Sequence, residues 1–207
     1  MIIFANGSLS RLMDKLRAFL KRLKREDIGP ALRMFFINTL FDSTFMLIGV
    51  IMGSSLVENP NIEVTLSTMF TTSLALGIST GVSVFEAESL ERERKIARLE
   101  KALFRDLENT NIARSAKEAT IITSVINFFT PIMSCIIVAF PMILVYLNIL
   151  DVHFGVMASI GVALGTLFAT GAYLGRVGKH NPLLKGLRMV VFGVIAFTIG
   201  YLLQTFI

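Results

Sequence analysis

Five long apolar runs, separated by polar segments, fix what this chain can fold into. They span roughly Leu32–Val57, Val64–Phe85, Ala119–Leu147, Val152–Leu174 and Leu184–Phe206. As helices rising about 1.5 Å per residue, all are long enough to cross a hydrocarbon core of about 30 Å. Inside lipid a backbone must satisfy its own hydrogen bonds, so each run is expected to be a helix. With 54% apolar residues in 207, the chain is more apolar than a soluble core requires. The expected class is an all-α membrane protein with five transmembrane helices in one domain, residues 32–207.

The charges orient those helices. All 20 Lys and Arg lie in the N-terminal region through Arg33, in Arg92–Lys117, or in Arg176–Arg188. The connecting segments Glu58–Glu63 and Asn148–His153 carry acids and no Lys or Arg. Two spans separate each pair of basic regions, so all three fall on one side. The positive-inside rule then puts the N-terminus in the cytoplasm and the C-terminus outside. The net charge of +5 sits at the flanks of apolar spans, which points to the lipid bilayer as partner and away from nucleic acid. Met1–Gly7 is followed by a basic stretch with no cleavage site, so no cleavable signal peptide is expected. The single Cys135 excludes a disulfide framework.

Residues 1–31 are expected to form a separate cytosolic segment. Within it, Ser8–Asp27 reads as a basic amphipathic helix, suited to an anionic leaflet or to the protein's own cytosolic face. Gly29-Pro30 ends it. After the second span no Gly or Pro interrupts Phe85–Glu108, so that helix is expected to extend into the cytosol within a helical segment, residues 86–118. Pro131 and Pro141 are expected to kink the third span. Small residues four apart (Gly49/Gly53, Ser73/Gly77/Gly81, Gly161/Gly165 and Gly171/Gly175) mark faces where helices can approach closely.

Two clusters can carry chemistry. Asp42 is the only charge in Met34–Val57, and at that depth it costs at least ~2.5–3.5 kcal/mol on insertion scales. Asn38 and Met46 lie one turn before and after it, on the same face. Thr39, Ser43 and Thr44 add hydroxyls nearby. Carboxylate, amide oxygen and thioether together suit a borderline divalent transition metal, while Asp42 alone can carry a proton or serve packing. The second cluster is the acidic stretch with Glu86, Glu88, Glu91 and Glu93. Its carboxylates can capture cations; equally, Glu88–Arg92 and Glu91–Lys95 are ordinary i,i+4 pairs on a solvated helix. No nucleotide loop, catalytic triad or CxxC is present. The expectation is no enzyme and no cofactor.

Three segments together resemble the vacuolar iron transporter family and its prokaryotic relatives. They are FDSTFMLIGVIMG (Phe41–Gly53), GISTGVSVFEAESLERE (Gly77–Glu93) and GAYLGRVGKHNPLLKGLRMVVFGVIAFTIGYLL (Gly171–Leu203). The resemblance covers roughly Leu32–Ile207 and rests on the order and spacing of the segments. It implies export of divalent iron or manganese from the cytosol in exchange for protons, by a homodimer with a path between subunits, here in a prokaryotic cell membrane. It matches Asp42 to the family's first-span Asp, and Glu86, Glu88, Glu91 and Glu93, by position, to its acidic second helix. Three departures stand out. Ser43 replaces the usual Gly after the Asp, Leu76 and Thr80 stand where many members carry Met and Glu, and the cytosolic insertion is short. The departures keep two other readings open: a non-transporting membrane interaction or assembly module, and a transporter of a different solute.

Overall fold

A computed structural model describes residues 29–55, 60–107 and 110–206. These form five helices and no strand: α1 Gly29–Ser55, α2 Ile62–Leu103, α3 Asn111–Tyr146, α4 Val152–Val177 and α5 Pro182–Phe206. All five are long and apolar enough to cross a membrane. The amphipathic segment Ser8–Asp27 lies outside the described residues.

The helix ends follow from local chemistry. Asn61 caps α2 by accepting from the Val64 N–H at 3.2 Å, and Asp151 caps α4 by accepting from the His153 N–H at 3.1 Å. Pro182 opens α5, where its missing N–H is harmless. Left-handed residues end three helices or their turns: Phe104 (φ 50°) after α2, Asn148 (φ 57°) after α3 and Lys179 (φ 55°) after α4.

At 42 residues, α2 is about 63 Å long, twice the thickness of a hydrocarbon core. The expected extension past Phe85 is therefore present. The chain then folds back: Glu100 Oε1 accepts from the Leu107 N–H at 2.9 Å, which holds the turn into α3.

α3 is the central element and α5 the peripheral one. Half of the most apolar stretch of α3 is buried, against 11% of that of α5. The core joins Leu47, Ile48, Ile51 and Met52 of α1 to Met69, Val138, Ala139, Met142, Ile160, Ala163 and Leu167. α3 stays helical through both prolines. Pro131 leaves the Asn127 carbonyl without its usual partner four residues on, and Thr80 Oγ1 of α2 donates to that oxygen at 3.3 Å. Beside it, Gly77 lets α2 approach α3: a Cβ there would lie 2.6 Å from the Phe128 carbonyl oxygen.

Candidate functional site

The small-residue ridges divide into two kinds. Gly77 and Gly81 seat against Phe128, and Gly171 and Gly175 seat against the start of α5. Gly49, Gly53, Gly161 and Gly165 have no packing atom of a described residue within 4 Å of where a Cβ would stand. Asn38, Asp42, Met46, Gly49 and Gly53 recur every three or four residues, so they form one stripe along α1, and all five are exposed. Asn38, Asp42 and Met46 thus share a face as expected, and that face points away from the chain's own bundle.

Asp42 makes no hydrogen bond or ion pair with any described residue. The three hydroxyls beside it in sequence turn the other way. Thr39 Oγ1 donates to Asn127 Oδ1 at 2.9 Å. Ser43 and Thr44 each donate to the Leu40 carbonyl, at 3.0 and 2.7 Å, and Thr44 also meets Ser134 Oγ at 3.3 Å. One face of α1 is therefore tied into the bundle by polar contacts, and the opposite face carries a free carboxylate.

Sequence reasoning does not single out Asn127, yet this residue organises the inner face. It is fully buried, accepts from Thr39, and donates through Nδ2 to the Thr123 carbonyl at 2.8 Å. The available clue is the periodic series Thr120, Thr123, Ser124, Asn127, Thr130 and Ser134 within an otherwise apolar run. All six are buried.

The acidic stretch on α2 also divides. Glu88 is 7% exposed, and its Oε2 receives Arg92 Nε at 2.9 Å and Arg92 Nη2 at 2.8 Å. That carboxylate is engaged, in keeping with the i,i+4 spacing. Glu86, Glu91 and Glu93 are exposed, and no Glu91–Lys95 pair forms. Among the described residues, no three His, Cys, Asp or Glu come close enough to hold a metal. Within a single chain, Asp42 and the glutamates do not form one site. Thr80 is occupied with the Asn127 carbonyl.

The pattern that defines the VIT family matches residues 101–205, just over half of the chain. The chain belongs to the VIT family. The VIT family is a family of membrane metal-ion transporters and not an enzyme family, and the five apolar spans fit a membrane transporter. The matched stretch begins beyond Asp42 and beyond Glu86–Glu93, so membership rests on α3 to α5 and the turn before them. An uncharacterized protein of Methanocaldococcus jannaschii is 26% identical over 174 residues, 83% of this chain and 87% of that protein. No solved structure matches.

Proposed function

We propose that this VIT-family chain exports a divalent transition metal, Fe²⁺ or Mn²⁺, from the cytosol in exchange for protons, as a homodimer with its path between the two α1 helices. The observation that carries the reading is the outward stripe of α1: a free Asp42 flanked by Asn38 and Met46, followed along the helix by two glycines with open space around them. Left against lipid, that carboxylate costs at least ~2.5–3.5 kcal/mol. Covered by a second copy about a two-fold axis, the same stripe meets itself. Gly49 and Gly53 then allow close approach, and two Asp42 carboxylates with two Asn38 and two Met46 line one seam. Carboxylate oxygens with a thioether favour Fe²⁺ or Mn²⁺ over the harder Mg²⁺ and Ca²⁺.

The basic ends of the helices stand in the cytosol in this proposal, with the N-terminus inside and the C-terminus outside. Glu86, Glu91 and Glu93, exposed and unpaired among the described residues, then face the cytosol and raise the local concentration of cations. Proton exchange follows from the carboxylates themselves. A metal-bound carboxylate must be deprotonated, so a proton reaching Asp42 from the outer side releases the ion and resets the site.

Mn²⁺ flux into proteoliposomes holding the wild type or Asp42→Asn tests this. The mutant is expected to fall to the level of empty vesicles while remaining dimeric; flux equal to wild type removes Asp42 from the mechanism.

A second reading, a non-transporting membrane module, draws on the same structure. Thr80 is committed to packing where a carboxylate ligand is expected, and the described residues of one chain gather no three metal-binding side chains. It predicts no saturable binding of Fe²⁺, Mn²⁺, Zn²⁺ or Co²⁺ in titration calorimetry, whereas the transporter reading predicts saturation by at least one.

A further inference from the structure

We propose that the groove between α1 and α5 binds an anionic phospholipid, with its phosphate at Arg188 and one acyl chain lying along the groove. The groove has a volume of about 400 Å³ and is lined only by apolar side chains, among them Phe41, Phe45, Phe192, Ile195 and Ile199. The α5 wall is open to the surroundings: Phe192, Ile195 and Ile199 are each about half exposed, at 46%, 47% and 54%. From Met189 to Ile199 it rises about 15 Å, which is the depth of one leaflet of a core about 30 Å thick.

Its basic end carries the charge. The Arg188 guanidinium lies 6.0 Å from the centroid of the Phe192 ring, at the mouth of the groove. Arg188 stands six residues into α5, about 9 Å from Pro182, within reach of the headgroup layer for a long side chain. It pairs with no carboxylate among the described residues, and neither α4 nor α5 contains an Asp or Glu. Arg176, Lys179, Lys185 and Arg188 therefore form a basic cluster at that end of the α4–α5 hairpin, with no acidic partner among the described residues. Every phospholipid brings a phosphate; a cluster with no acid of its own selects a lipid with net negative charge.

The groove is distinct from the Asp42 stripe. Around α1 the groove residues Phe41 and Phe45 are centred about 80° from the Asn38–Gly53 stripe, so the two surfaces adjoin and face different directions. A second copy seated in the groove about a two-fold axis would bring the same unpaired cation towards itself. A phospholipid supplies both the missing anion and the missing apolar chain. The inference is independent of metal transport, and a failure of Mn²⁺ flux leaves its test untouched.

The test is native mass spectrometry of the full chain released from nanodiscs of phosphatidylcholine and phosphatidylglycerol in equal amounts. The wild type is expected to retain phosphatidylglycerol roughly tenfold over phosphatidylcholine, as one full charge contact of about 1.4 kcal/mol would give. Arg188→Gln should reduce that preference severalfold, and Ala196→Trp, which fills the groove, should reduce retention of both lipids. Lys101→Gln, at the far end of α2, should change neither. Undiminished preference in Arg188→Gln overturns the proposal, and so does loss of bound phosphatidylglycerol to excess inorganic phosphate, which would indicate a free-anion site. Ile195→Cys in a Cys135→Ser background gives a readout that survives misfolding of the bulky variant. Cross-linking of that cysteine between copies would show the groove filled by protein and overturn the proposal; its labelling by a lipid-borne thiol reagent supports it.

Discussion

Asp42 and Asn127 show how one helix faces two environments. Asn127 is completely enclosed and shares its side chain with Thr39 and the Thr123 carbonyl. Such interhelical bonds are worth about 0.6 kcal/mol on average in membrane proteins, up to about 1.7 kcal/mol. Asp42, on the opposite side of α1, has no such partner among the described residues. Glu88 and Arg92 form a second close pair, both largely out of solvent, with side-chain exposures of 9% and 13%. Removing Arg92 alone strands a buried carboxylate, while replacing both removes the charge together with its partner. Arg92→Ala should therefore destabilise by about 1–3 kcal/mol, the cost of an unsatisfied buried group, read from unfolding in detergent. The double variant with Glu88→Gln should recover part of that loss in the same assay.

The helices have distinct mechanical roles. α2 and α3 are held together where Pro131 frees a carbonyl and Thr80 takes it up, with Gly77 allowing the contact. A side chain at residue 77 would push its Cβ to 2.6 Å from the Phe128 oxygen, so something must shift. Gly77→Ala is expected to cost about 1–3 kcal/mol through overpacking, read as a lower unfolding temperature. Gly53→Val should behave in the opposite way, since no described residue packed against α1 comes within 4 Å of a Cβ at that position. It should leave the stability of the monomer little changed and shift the proposed dimer towards monomer in size-exclusion light scattering. The two substitutions distinguish a glycine needed inside the bundle from one proposed to meet a second copy.

Taken as one body, the protein's architecture is largely legible from hydropathy and charge. Apolar runs give spans because lipid leaves the backbone no other partner, and the absence of Gly and Pro after Phe85 accounts for the long α2. Which way each face turns is less legible. Asn38, Asp42 and Met46 share a stripe by helical geometry, but spacing alone does not separate an inward stripe from an outward one. Thr39, Ser43 and Thr44 neighbour Asp42 in sequence and instead bond inward, because a residue or two along a helix turns a side chain by about 100° or more. Asn127 is hidden because an uncharged polar residue raises no alarm in a hydropathy profile, although burial makes it a tie between helices. The proposed cytosolic N-terminus also belongs to the protein as a unit. Lys101→Cys and Lys179→Cys, each in a Cys135→Ser background, should react with an impermeant thiol reagent only after the cell membrane is opened, and Asn148→Cys should react on intact cells. The proposed transport rests above all on two copies of Asp42 sharing one metal ion. A crystal soaked in Mn²⁺ and measured at an anomalous wavelength reads this out. One anomalous peak is expected on the two-fold axis between the Asp42 carboxylates of the two copies; a well-diffracting soaked crystal with metal only at Glu86–Glu93, or with the two Asp42 side chains apart and facing lipid, would refute it.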